Sequence, residues 1–218
     1  MSRLLLVRHG ITKFNRTRRF AGYTDVEMSA AGYRQAERLR DHLTDEKIDA
    51  VYSSDLRRAV VTAEVISSGR EVDIVTCPEL REINYGDAEG LTFEEISRLY
   101  PELAESITNF SLQLEFPGGE SFEEFVARTS AFVDRLNRHT QEQTILIVSH
   151  SGPLKVLLCH LLGIDQSHWR KFRIDNASLS IVETYPQRVI ISLLNDTSHL
   201  GVMFNLHHLT GSEKSQKA

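Results

Sequence analysis

A chain of 218 residues, 41% hydrophobic and 25% charged, is long enough to bury one core and fits a single domain or a domain with an insertion. A formal net charge of −5 excludes a general binder of nucleic acid or of anionic membrane surfaces, while leaving room for a local basic pocket. Two cysteines, Cys77 and Cys159, exclude a disulfide framework and a four-cysteine zinc site. No apolar run has the length of a leader or a membrane span, so a reducing, cytoplasmic location is the expectation.

In chain order, strand-like runs fall at 4–7, 50–53, 74–77, 144–149, 178–184 and 189–194. The first, Leu4-Leu5-Leu6-Val7, has the continuous hydrophobicity of a strand buried on both faces. Helical spacing follows at 32–43, with Ser29 as a cap upstream, and at 56–66 through Leu56, Ala59, Val60, Ala63 and Ile66. Thr92-Phe93-Glu94-Glu95 is a capping box whose short helix Pro101 closes. A second box, Ser121-Phe122-Glu123-Glu124, opens a long helix with Phe122, Phe125, Val126, Thr129, Phe132, Val133 and Leu136 on one packed face. Pro153 lies in the first turn of a last central helix.

This alternation predicts a three-layer α/β/α sandwich around a mainly parallel sheet. Pro186-Gln187-Arg188 reads as a hairpin that makes the final strand an antiparallel edge. The strand-free segment 78–119 interrupts the rhythm and is expected as a helical cap over the site edge, within a single domain spanning 1–209. A polar tail at 210–218 is expected to be disordered.

Chemistry-bearing residues gather at the ends of buried strands, where open α/β sheets bind ligands. Arg8-His9-Gly10 follows the first strand, Ser53-Ser54-Asp55-Leu56-Arg57-Arg58 the second, and Ser149-His150-Ser151-Gly152 the fourth. Leu80-Arg81-Glu82 adds a carboxylic acid from a loop. A phosphate monoester needs cations and donors around its oxygens, an in-line nucleophile and an acid for the leaving alkoxide. Arg57, one residue from Arg58, should point about 100° away and lie at the surface. The nine histidines show no ligand spacing for a metal, and His207-His208 near the tail reads as solvated.

Together, Arg8-His9-Gly10-x-Thr12-x-x-Asn15, Gly22-Tyr23-Thr24-Asp25, Ser53-Ser54-x-Leu56-x-Arg58-Ala59, Leu80-Arg81-Glu82 with Tyr85-Gly86 and Glu89-Gly90, Pro117-Gly118-Gly119-Glu120-Ser121 and Ser149-His150 resemble the histidine phosphatase superfamily. The resemblance runs from Leu4 to about Asn195. It implies that His9 is the nucleophile that becomes phosphorylated, that Arg8, Arg58 and His150 hold the phosphoryl oxygens with Asn15 as a further donor, and that Glu82 serves as proton donor and then base. The physics agrees: His9 must attack as neutral imidazole, which two guanidinium groups favour, with the other ring nitrogen oriented by a backbone carbonyl. Gly22 and Ser151 either offer backbone N–H groups to phosphate or are plain turn residues.

Within that family the short insertion after Glu82 favours a phosphatase over a cofactor-dependent phosphoglycerate mutase. Retention of the whole residue set speaks against a non-catalytic phosphate-binding scaffold. Ala88 and Ile11 depart from residues common among relatives, and both bear on pocket shape. Size and the Pro117–Ser121 element resemble the α-ribazole phosphatase branch of cobalamin biosynthesis, making α-ribazole 5′-phosphate the leading named substrate. Selectivity is expected in 92–119, where Phe110, Leu112, Leu114 and Phe116 line the mouth or pack the cap. The enzyme is expected to need no metal or cofactor. Its partner is a phosphorylated small molecule, not nucleic acid or membrane, and the 189–194 edge offers a surface for a homodimer.

Overall fold

The computed structural model describes residues 2–109, 111–140 and 142–201, so Phe110, His207-His208 and the 210–218 tail lie outside the described residues. Six strands form one sheet: β1 (Ser2–Arg8), β2 (Ala50–Ser53), β3 (Ile74–Thr76), β4 (Thr144–Ser149), β5 (Leu179–Tyr185) and β6 (Arg188–Asp196). Their order is β3-β2-β4-β1-β5-β6. The first four strands are mutually parallel, and β5 runs against β1. Strand β6 pairs antiparallel with β5, as the hairpin reading expected, so β6 runs in the same direction as the parallel set. The reversal therefore enters at β5, one strand earlier than the edge.

The sheet is covered on both faces. Helices α2 (Ala30–His42) and α3 (Arg57–Ser67) bury Leu39, Ala59, Ala63 and Ile66 against Leu5, Val7, Val51 and Val148. On the other face, α8 (Ser151–Leu162) buries Leu154, Leu157 and Leu158 against Leu4, Leu6, Ile145 and Ile147. Each such aliphatic side chain removed from water stabilises the fold by about 1.5–3 kcal/mol, which is why the continuous apolar run of β1 becomes a central strand.

A third apolar cluster lies under the segment between β3 and β4. It joins Ile83, Ala88, Ile96, Leu103, Leu114 and Phe116 to Phe122, Phe125 and Val156. Leu114 and Phe116 thus pack, whereas Leu112 is exposed. Thr92 caps α4 (Phe93–Leu99) through the expected box. Pro101 ends α4 and also opens a further helix, α5 (Pro101–Thr108), because its missing N–H is tolerated at a first helical position. The long helix from Ser121 is divided into α6 (Phe122–Ala131) and α7 (Val133–Leu136). At the junction the Phe132 N–H bonds Thr129 O at 3.2 Å and Arg135 N–H bonds Phe132 O at 3.0 Å, a local 3₁₀ tightening that keeps Phe132 in the core. A short α1 (Lys13–Arg16) is capped by Thr12 in a reciprocal box with Asn15.

Topology places the site. From β1 the chain crosses to the β2 side of the sheet, and from β4 it crosses to the β5 side, so the connections diverge at the carboxyl ends of two adjacent strands. Such a switch point is an open crevice. Arg8 pairs with Ser149 in register, which sets the next residues, His9 and His150, side by side there.

Candidate active site

His9 is fixed from three directions. Its N–H bonds Ser149 O at 2.9 Å, and its carbonyl accepts from Ala177 N at 3.2 Å and Asn176 Nδ2 at 3.1 Å. The ring Nδ1 lies 2.8 Å from Gly10 O. A carbonyl can only accept, so Nδ1 bears the proton and Nε2 keeps its lone pair, the arrangement a nucleophilic imidazole needs. Burial, then Arg58 and then Arg8, holds the imidazole well below its ordinary pKa, outweighing the Gly10 carbonyl. It is neutral at physiological pH.

Arg8 donates from Nη1 to Ile174 O at 2.8 Å, while its Nε is buried with no partner among the described residues. That orphan donor belongs to a side chain lining the same cleft as His9. A buried guanidinium N–H left unpaired costs roughly 1–3 kcal/mol unless an acceptor arrives. An anion is the fitting acceptor.

Glu82 stands on the cleft wall. Its Oε1 accepts from Ile83 N at 3.1 Å and its Oε2 from Gly152 N at 3.2 Å, the latter at the start of α8. A Cβ at Gly152 would collide with the Glu82 carboxylate, so a larger residue there would displace the acid. Asn15 also lines the cleft, with its Oδ1 accepting from Thr12 N at 3.0 Å, Thr12 Oγ1 at 2.9 Å and Asn176 Nδ2 at 3.3 Å. With the oxygen saturated, the amide nitrogen remains for a ligand.

Arg58 and His150 lie behind this wall. Arg58 is wholly buried and donates Nε to His150 Nδ1 at 3.2 Å, Nη1 to Thr24 O at 2.9 Å, and Nη2 to Ala21 O and Gly22 O at 3.1 and 2.7 Å. His150 Nε2 meets Ser54 Oγ at 2.9 Å, and its ring centroid is 5.0 Å from that of His9. Burial, then Arg58, keeps His150 well below the ordinary imidazole value. Arg57, as expected, points outward, with only a 3.8 Å approach to Glu27. Gly22 is corrected: its N–H goes to Glu89 Oε2 at 3.0 Å, because Glu89 also holds Tyr23 N and Thr24 N, so this amide is not offered to phosphate. Ser151 lines the cleft.

The cleft measures about 220 Å³ and is walled by Arg8, His9, Asn15, Arg19, Phe20, Ala21, Glu82, Tyr85 and Ser151, with the exposed Arg18 at its mouth. A larger hollow of about 420 Å³ in the cap, lined by residues including Tyr100, Leu103 and Pro117, has no cation in its lining and no place for this chemistry. Sequence reasoning missed Asn176 and Arg18 and gave Ser54 no role of its own. Asn176 sits in a turn 161–167 positions from the motif residues it supports, and no local pattern marks it. Among the described residues, the expected selectivity segment 92–119 supplies none of the cleft lining. Among the described residues no group of three or more His, Cys, Asp or Glu side chains is arranged to hold a metal ion. No helix among them is long and apolar enough to cross a membrane.

Known proteins share this architecture. The chain is 34% identical over 204 residues to phosphoserine phosphatase 1 of Hydrogenobacter thermophilus, covering 94% of this chain and 97% of that one. The crystal structure of the alpha-ribazole phosphatase from Shigella flexneri superposes with a TM-score of 0.84 at 31% identity, covering 89% of this chain and 96% of the other. Phosphoserine phosphatase from Entamoeba histolytica, solved as a mutant (H9A) with phosphoserine, gives a TM-score of 0.80 at 27% identity over 92% of this chain and all of that one. Residues 4–197 match the family described as histidine phosphatase superfamily (branch 1). The chain therefore belongs to that superfamily and is an enzyme of the phosphoric monoester hydrolase class.

Proposed function

We propose that this enzyme hydrolyses a small phosphate monoester through a phosphohistidine formed at His9 Nε2. The observation that carries this reading is the neutral, Nδ1-protonated His9 set in a cleft that the Arg8 guanidinium, Asn15 and Glu82 also line. In the first step the Nε2 lone pair forms the N–P bond as the P–O bond to the leaving alkoxide breaks, and Glu82 delivers the proton that alkoxide needs. In the second, Glu82, now a carboxylate, takes a proton from water as its oxygen attacks phosphorus and the N–P bond breaks. Arg8 and the Asn15 amide neutralise and orient the phosphoryl oxygens. Arg58 spends four of its five N–H groups on protein acceptors. It acts by holding His150 and the Ala21–Thr24 carbonyls and, with its charge, by keeping His9 unprotonated.

For the substrate, the Pro117–Ser121 element and the Shigella relative support α-ribazole 5′-phosphate. A second reading, phosphoserine, is favoured by Arg18, an exposed mouth residue with no side-chain partner among the described residues, suited to a carboxylate. A mutase reaction on a phosphoglycerate is the third; phosphate release without interconversion of the acids decides against it. The deciding test is an alkaline quench of the enzyme mixed with a labelled phosphate ester. Acid-labile, base-stable label on the protein is expected, and His9→Ala should lose it together with at least about 10⁴-fold in turnover. Undiminished turnover in His9→Ala would sink the proposal. A comparison of kcat/KM for α-ribazole 5′-phosphate and phosphoserine ranks the two substrates.

A further inference from the structure

We infer that Arg128, on α6 and outside the cleft, is the positioning residue for the proton donor, acting on Glu82 through the main chain. The inference rests on the reading of Glu82 given above and deepens it. Among the described residues no side chain aims the Glu82 carboxylate by a hydrogen bond: both oxygens are held by backbone N–H groups, those of Ile83 and Gly152. Where the carboxylate points is therefore decided by where the backbone of residues 78–84 lies against the start of α8.

That backbone is gathered by one guanidinium. Arg128 Nη1 donates to Pro78 O at 3.2 Å, Glu79 O at 2.9 Å and Arg81 O at 3.1 Å, and Nη2 donates to Glu82 O itself at 3.3 Å. Its remaining donors form a fork with Glu120, Nε to Oε1 at 2.7 Å and Nη2 to Oε2 at 2.9 Å. Glu120 in turn accepts Asn84 N at 2.8 Å, and its own N–H bonds Asn84 O at 3.0 Å, so the clamp grips the loop on both sides of Glu82. The Arg128–Glu120 pair is largely buried, with side-chain exposures of 19% and 15%. A planar guanidinium with five N–H groups, one of them shared between two carbonyls, can reach this dispersed set of six oxygens, and an ammonium with three cannot.

The clamp also ties the acid loop to the rest of the site. Arg128 and Arg81 lie 5.8 and 4.9 Å from the centre of the Tyr23 ring, within the segment whose carbonyls hold Arg58. Arg81 forks onto Asp55, beside the Ser54 hydroxyl that meets His150. Glu82 and the His9–His150 pair are thus held in one frame without the acid touching any charged side chain in that frame.

The test measures kcat/KM, which reports phosphoryl transfer to His9 and not the later hydrolysis shared by all substrates, for an alkyl phosphate, whose alkoxide needs a proton to leave, and for p-nitrophenyl phosphate, which does not. Arg128→Met should lower kcat/KM on the alkyl ester by about 10–100-fold, the scale of a roughly 1 Å misplacement, with far less change in kcat/KM on the nitrophenyl ester and an unaltered inhibition constant for inorganic phosphate. Arg128→Lys should fall between wild type and Arg128→Met. Glu120→Gln, which keeps the shape of the partner, should repeat the selective loss even if Arg128→Met fails to fold. Combined with Glu82→Gln, neither change should cost anything further on the alkyl ester, since the group it positions is gone. Equal losses on both esters, or additive losses in the double variant, would overturn the inference as a general structural effect. If Glu82→Gln itself shows no dependence on leaving group, the acid assignment fails instead, so the two failures are told apart.

Discussion

The two halves of the site are held by different means. His9 and His150 stand at the ends of adjacent parallel strands, where β-sheet register alone places them together. Glu82 sits on an irregular segment between two 3₁₀ turns, Pro78–Leu80 and Gly86–Ala88, and is placed by hydrogen bonds from residues far along the chain. The nucleophile side inherits the stiffness of the core, and the acid side depends on a few polar contacts. The comparison teaches that geometry for phosphoryl capture is built into the fold, whereas geometry for leaving-group protonation is assembled on it.

Three changes break or sharpen that contrast. The largest effect should come from Arg58→Lys on the sheet side. A lysine cannot replace four guanidinium hydrogen bonds, and the carbonyls of Ala21, Gly22 and Thr24 would be left short of donors. A loss of about 2–4 kcal/mol in unfolding free energy is expected from denaturant melts, where substitutions in the acid loop should cost less. If Arg58→Lys were neutral, the idea of a stiff nucleophile side would not stand.

A second, intermediate effect concerns pH. His9 and His150 are both held well below the ordinary imidazole value, mainly by burial and then by Arg58. Above about pH 6.5 neither the native nor the unfolded state is protonated at these rings, so they contribute no slope. Below it the unfolded chain takes up protons that the native state refuses, and stability falls as pH falls, by up to about 2.7 kcal/mol per pH unit for two rings. Urea midpoints at a series of pH values should show this decline, and His150→Asn should remove about half the slope. A profile equally steep in that variant would assign the proton uptake elsewhere.

The smallest effect is expected at the mouth. Arg18 adopts φ 53°, a left-handed conformation that costs an ordinary residue roughly 1–2 kcal/mol. Arg18→Gly should relieve that strain while raising KM for a carboxylate-bearing phosphate ester by about 3–10-fold, at unchanged KM for phenyl phosphate. Parallel changes in both KM values would remove Arg18 from substrate selection.

Much of the sheet side was legible in sequence. Buried strands read as unbroken apolar runs, and Arg8, His9 and His150 fall directly after two of them, so pattern and position coincide. The capping boxes at Thr92 and Ser121 were equally plain because capping is local. The direction of β5 was not, since a hairpin fixes only how β6 runs relative to its neighbour. Gly22 misled because a loop glycine looks free until the distant Glu89 carboxylate is placed against it. Arg128 looked like one more polar position on an amphipathic helix. Its acceptors are backbone oxygens some 46–50 residues away, and main-chain carbonyls leave no mark in a sequence.

The antiparallel entry of β5 brings its amino end, not its carboxyl end, to the crevice, and there Ala177 at φ 54° bonds the carbonyls of both Arg8 and His9. The turn that precedes β5 thus joins Ser149 on β4 in holding the backbone of the nucleophile. Slippage of β5 against β1 would therefore be felt directly at the nucleophile's backbone.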